Sequence, residues 1–297
     1  TRSLPKPMVE LFDKPVLQHI IELLRSNGFD ELCATLGYKP DTIIERFGDS
    51  LRCVIEETPL GTAGSVKNCS DFIGDDDFLI ISGDAICDFP LRSAFEYHKN
   101  MSAAVTVITF RHPEPLAYGL VQTDNDGRII RFFEKPNWRQ VFTDRVNTGI
   151  YIINPRVLKY IPDNQKFDFS RDLFPELLRS GEPMYACQCD GNWCDIGDCG
   201  ELLRCATESL NGEFKLNIPA KQTAPGIWSA IEIPKNVTIN PPVYIGEGVS
   251  IGGGAVIGPN AVISKKSNIG RLVRLSDCMI LSSEIADKSE YNNCILT

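Results

Sequence analysis

The sequence predicts two units in one chain: an α/β unit with a mainly parallel sheet over residues 1–212, and a parallel β-helix over residues 233–297. Three observations predict this. Helical and extended patterns alternate through the first part, as they do when parallel strands are joined by crossover helices. Isoleucines recur at 233, 239, 245, 251, 257, 263 and 269, a spacing of six, whereas an ordinary strand repeats every second residue. Between them, residues 213–232 carry Pro219, Pro225 and Gly226 and read as a linker.

The elements follow in order. Pro15 to Arg25 has apolar residues at helical spacing and stops at Asn27-Gly28. Glu31 to Leu36 and Leu51 to Ile55 read as short strands, and Thr62 to Ile73 as a helix. Phe78 to Ser82 and Ala103 to Phe110 are continuous apolar runs, as in strands buried on both faces. Arg128 to Phe133 and Asn147 to Ile153 are further strands, and Phe169 to Arg179 is a helix with Asp168 or Ser170 as its N-cap. In the second unit, Val237, Val243, Val249, Ala255 and Ala261 each stand four residues after an isoleucine, and glycine follows isoleucine at 246, 252, 258 and 270. A six-residue repeat of this kind makes one flat side of a coil. Isoleucine fills the inside corner and glycine permits the turn. Coils of this type stack edge to edge, so a homo-oligomer is expected through this unit.

Composition removes some functions. The chain has 297 residues, enough to bury a sizeable core. No stretch approaches the roughly 20 apolar residues that a membrane span needs. Thirty Lys+Arg against 39 Asp+Glu, with no basic stripe, argue against a nucleic-acid partner. A small anionic substrate stays open, because a few cations can govern one cleft. Eleven cysteines at irregular spacing, with no CxxC pair and only three histidines, do not form a zinc pattern. They read as reduced thiols of a cytoplasmic protein, and no signal peptide is visible.

Five short motifs carry chemistry. Asp84 follows the run Phe78 to Ser82 through Gly83, which places a carboxylate at a strand's carboxyl end, where it can hold a divalent cation or simply close a turn. Asp195, in Trp193-Cys194-Asp195-Ile196-Gly197, suits a second metal ligand or a helix cap. Pro59-Leu60-Gly61-Thr62-Ala63-Gly64 is a small-residue turn that a planar ring or a phosphate can approach, or a plain loop into a helix. Glu134-Lys135-Pro136 offers a carboxylate to sugar hydroxyls and an ammonium to a phosphate, or is a solvated pair ending a strand. Lys6 lies between Pro5 and Pro7, a cation held on rigid backbone.

In this order, and followed by hexapeptides, these motifs resemble those of the sugar-1-phosphate nucleotidyltransferases, over essentially the whole chain. Within that family the similarity is greatest to bacterial mannose-1-phosphate guanylyltransferases. It is carried by Glu57 to Lys67, Ser82 to Ala85, Phe133 to Trp138, Val146 to Tyr151, Phe167 to Ser170 and Trp193 to Gly197. The resemblance implies a Rossmann-like mixed sheet, a left-handed β-helix and Mg²⁺ as cofactor. It implies transfer of a nucleotidyl group from a nucleoside triphosphate to a sugar-1-phosphate, with GTP and mannose-1-phosphate first and UTP and glucose-1-phosphate as the alternative. Glu57, Gly61 and Thr62 would meet the base. Tyr118, Gly119, Glu134, Asn147 and Thr148 would hold the sugar. Lys6 and Lys135 would be catalytic, acting on the phosphates, and Asp84 and Asp195 would bind the metal. The family's glycine-rich loop would lie before Thr1. An alternative alignment makes Thr1-Arg2 the tail of that loop, with Arg2 catalytic. Some relatives are fused to a phosphomutase domain, which leaves open such a domain after Thr297. Two other readings compete. A hexapeptide acyltransferase would need a histidine in the coil, and none follows His112. A non-catalytic nucleotide-sugar sensor would not need Asp84, Lys135 and Asp195.

Overall fold

The computed structural model describes residues 4–134, 136–137 and 141–297. A short hairpin, β1 (Glu10–Leu11) and β2 (Lys14–Pro15), leads into α1 (Val16–Ser26). Then come β3 (Cys33–Leu36), α2 (Pro40–Phe47), β4 (Arg52–Ile55), α3 (Gly61–Lys67) and α4 (Ser70–Ile73). Next are β5 (Phe78–Ile80), β6 (Ala85–Cys87), α5 (Leu91–Asn100), β7 (Val105–Arg111), β8 (Leu120–Thr123) and β9 (Ile129–Phe133). The unit closes with β10 (Arg145–Ile153), α6 (Phe174–Arg179), β11 (Met184–Gln188), β12 (Trp193–Asp195) and α7 (Cys199–Leu210).

The main sheet has the order β11-β7-β10-β8-β9, with β5 also paired to β10. β10 runs antiparallel to β5, β7 and β8, while β11 is parallel to β7. β9 is antiparallel to β8, so four of the six strands share one direction while β10 and the edge strand β9 run against them, the mixed sheet expected with most strands aligned. β3 and β4 add a separate parallel pair. The local readings need three corrections. Residues 62–73 form two helices, because the chain turns at Asn68-Cys69. β5 is only half-buried: among the described residues it pairs on one edge alone. Helix α6 is preceded by a wider turn, Phe169–Leu173, and Asp168 makes no side-chain cap to it.

The C-terminal segment winds through three sets of parallel ladders. Partners lie eighteen residues apart, as Val243 with Ala261, Ser250 with Asn268 and Val256 with Arg274. Eighteen is three sixes, so each isoleucine of the repeat returns to the same side of the coil. Ile245, Ile257, Ile263 and Ile269 are buried. Gly252 is required by close stacking: a Cβ there would lie 2.5 Å from the Arg271 nitrogen of the next coil. Strand Ile227–Ser229, inside the segment read as a linker, is already laddered onto Val243–Ile245.

The β1–β2 hairpin plugs into this coil. Phe12, fully buried, meets the Tyr244 ring edge-on at 5.2 Å. Asp13 accepts hydrogen bonds from the Tyr244 hydroxyl and the Lys265 N–H, both at 2.8 Å. Lys265 Nζ also reaches Glu10 at 2.8 Å. Burial raises the Asp13 carboxyl pKa, against the lowering effect of these donors. Asp13→Ala strands two half-buried donors, so we expect a loss of about 1–3 kcal/mol in chemical denaturation. An unchanged midpoint would show that this contact contributes little.

Candidate active site

The floor of the site is built by β6 and β12. They pair antiparallel with Asp195 opposite Ala85, the residue after Asp84. The Ile196 N–H donates to the Asp84 carbonyl at 3.0 Å. Two residues more than a hundred positions apart are thereby brought to neighbouring strand ends. Ser82 Oγ donates to one Asp84 oxygen at 2.7 Å, and Lys6 Nζ stands 3.4 Å from the other. Gly83 makes room for the Lys6 turn, since a Cβ there would sit 3.3 Å from Pro7 Cγ. Lys6, Asp84 and Asp195, read separately in the sequence, share one place.

Burial, then the facing Asp84 carboxylate, raises the Asp195 pKa, and Lys6 only partly offsets this. That is the electrostatic condition a divalent cation relieves. No group of three or more His, Cys, Asp or Glu side chains converges among the described residues. Two carboxylates fit Mg²⁺, which commonly takes one or two and completes its shell with phosphate oxygens and water. A raised folded-state pKa contributes stability that is present at acid pH and lost as pH climbs through that pKa. We therefore expect Asp195→Asn to raise the melting temperature of the metal-free protein at neutral pH, with the gain disappearing towards pH 4. A lower melting temperature at neutral pH would contradict the repulsion.

The proposed sugar side gathers around β10. Asn147 N–H donates to the Gly119 carbonyl at 2.8 Å, and Glu134 Oε2 lies 3.1 Å from where a Gly119 Cβ would be. Asn147 Nδ2 donates to the Tyr151 hydroxyl at 2.9 Å, and its Oδ1 accepts from Gly149 N–H. The Thr148 hydroxyl is buried and donates to the Ile108 carbonyl at 2.8 Å. These two side chains shape the bulge in β10, and the exposed carboxylate of Glu134 faces Gly119 beside them. Tyr118 packs edge-on against Trp193 at 5.1 Å and His112 at 4.9 Å. Burial and the nearby Glu201 and Asp195 carboxylates push the Tyr118 hydroxyl up to about 12, so it stays a neutral donor. Lys135, Thr1 and Arg2 lie outside the described residues.

The small-residue turn is held from the far side by Phe167 and Asp168. Phe167 O accepts from the Ala63 and Gly64 N–H groups at 2.9 Å, and Asp168 Oδ1 accepts from the Thr62 N–H at 3.1 Å. The Thr62 hydroxyl accepts from Phe169 N–H at 3.0 Å. Those N–H groups are already bonded within the protein. The Thr62, Ala63 and Gly64 N–H groups are therefore not free to cradle a phosphate. Glu57 is exposed at its edge. Sequence reading missed Asp168 in this role, and it missed His112 and Trp193 as the wall behind Tyr118. Nothing local marks them, because each acts on a residue distant in the chain.

An α/β sheet with two carboxylates on paired strand ends is a scaffold that can hold a phosphorylated small molecule through a divalent cation. The chain belongs to the nucleotidyl transferase family, whose model matches residues 1–212. A second model, the GMPPB C-terminal domain, matches residues 233–297. The chain is 35% identical over 267 residues to a UTP–glucose-1-phosphate uridylyltransferase from Synechocystis, covering 82% of this chain and 69% of that protein. It is 33% identical over 213 residues to a mannose-1-phosphate guanyltransferase from Yarrowia lipolytica, covering 68% of this chain and 58% of that protein. Among solved structures, HddC from Yersinia pseudotuberculosis complexed with GMP-PN aligns with a TM-score of 0.60 at 26% identity, over 68% of this chain and 88% of HddC.

Proposed function

We propose that this protein transfers a nucleotidyl group from a nucleoside triphosphate to a sugar-1-phosphate, forming a nucleotide sugar and pyrophosphate, with GTP and mannose-1-phosphate as substrates. The observation that carries the reaction class is the meeting of Asp84 and Asp195 on paired strand ends with Lys6 beside them. The sugar phosphate oxygen is already an anion at neutral pH, so attack on the α-phosphorus needs no general base. What the site must do is hold two polyanions together in line. Asp84 and Asp195 would hold Mg²⁺, which supplies charge neutralisation at the phosphates. Lys6 would leave its Asp84 contact for the phosphates. Glu134 would accept hydrogen bonds from sugar hydroxyls, and the Gly61–Ala63 surface would lie against the base. In the C-terminal segment we read a left-handed β-helix that joins copies of the chain.

The C-terminal match and the likeness to a GMP-PN complex support guanosine. The Synechocystis relative supports a second reading, UTP with glucose-1-phosphate. Pyrophosphate release measured with four nucleoside triphosphates against both sugar phosphates separates them. The first reading expects the highest kcat/KM for GTP with mannose-1-phosphate. Release only with UTP and glucose-1-phosphate would replace it, and binding without any release would favour a sensor.

A further inference from the structure

Three of the eleven cysteines meet outside the site described above. Cys33 on β3 and Cys69 at the α3–α4 junction have their sulfurs 3.7 Å apart, and Cys53 lies opposite Ala34 on β4. Cys33 is partly exposed and Cys69 is buried. Arg52 is the cross-strand partner of Cys33, while the Glu56 carboxylate bears on Cys69. We propose that Cys33 and Cys69 form a reversible thiol–disulfide exchange site that reacts with small-molecule disulfides of the glutathione type, Cys33 attacking and Cys69 resolving. The Cys33 thiol donates to Cys69 Sγ in the neutral pair; once Cys33 ionises the Cys69 thiol donates back, and this brings Cys33 down to about 7, against partial burial and helped by the Arg52 guanidinium. The same contact, burial and the Cys33 and Glu56 charges push Cys69 up. Cys53 is raised by burial and by Cys33. One partly exposed thiol is therefore substantially ionised at neutral pH, and its neighbour keeps its proton until the first sulfur bond has formed.

The chemistry balances. The Cys33 thiolate attacks one sulfur of the disulfide RSSR; the S–S bond breaks, and RS⁻ leaves and takes up a proton. Cys69, losing its proton, then attacks Cys33 Sγ and expels the second thiolate. Two protein thiols are oxidised and one RSSR is reduced to two RSH. The product bond would tie the β3–β4 pair to the end of α3, the helix that opens at Gly61 and Thr62.

The test is peptide mapping of the full chain after exposure to oxidised glutathione and alkylation of the remaining thiols. A Cys33–Cys69 linked peptide that dithiothreitol removes is expected, and Cys69→Ser should stop at glutathione on Cys33. In the untreated wild-type protein at pH 7, Cys33 should be alkylated roughly tenfold faster than Cys53 or the exposed Cys199. Recovery of both Cys33 and Cys69 as alkylated thiols, a Cys33–Cys53 link in their place, or alkylation of Cys33 no faster than Cys199 would overturn the proposal.

Discussion

Asp84→Asn is expected to lower turnover by about 10²- to 10³-fold or more while leaving the fold intact, the scale seen when one preorganised electrostatic contact is removed from a reacting phosphate or oxyanion. Asparagine keeps the shape and can still accept from Ser82, whose hydroxyl lies 2.7 Å away. It removes the charge that faces Asp195 and pairs with Lys6. The loss should therefore appear in the concentration of divalent cation required and in kcat, and the kcat loss should persist at saturating Mg²⁺. Circular dichroism should match the parent, and the metal-free melting temperature should be equal or higher. Near-parental turnover with pyrophosphate release as the readout would remove Asp84 from the metal site.

Gly61→Val should have the largest effect of any single change in the small-residue turn. Gly61 has φ of +72°, where a β-branched residue is strained, and its Cβ would lie 2.8 Å from the Phe167 carbonyl oxygen. That oxygen is backbone and is bonded to the N–H groups of Ala63 and Gly64, so it cannot move without breaking both. We expect a loss of about 3 kcal/mol, combining left-handed strain with displaced hydrogen bonds. Where the variant still folds, KM for the nucleotide should rise more than kcat falls, because the proposed function sets the turn against the base and not at the reacting phosphorus. A variant with parental stability would show that residues 167–169 yield easily. One with parental KM would separate the turn from nucleotide binding.

The strand-glycine-acid pattern at Asp84 was legible in the sequence because side-chain chemistry and strand ends are local properties. So was the sixfold isoleucine repeat, since a coil returning every eighteen residues writes its period into the chain. The α/β layering followed from alternation, whereas the mixed sheet was implied only by the family resemblance: nothing in Arg145–Ile153 says that this strand runs against its neighbours. What stayed hidden are contacts that depend on docking. Asp168 reads as a helix cap and instead holds Thr62, 106 positions away. Asp13, which no sequence motif singles out, binds Lys265, 252 positions away. Cys33 and Cys69 look unrelated until β3 is set against the α3–α4 corner. In each case the local pattern is compatible with several partners, and only the packing selects one.

Titration of Mn²⁺ into the protein with nucleotide present, followed by electron paramagnetic resonance, tests the shared acidic floor most directly. The parent should bind one ion tightly, and Asp84→Asn and Asp195→Asn should each weaken that binding by at least tenfold without changing the secondary structure. Undiminished Mn²⁺ affinity in both variants would contradict the account.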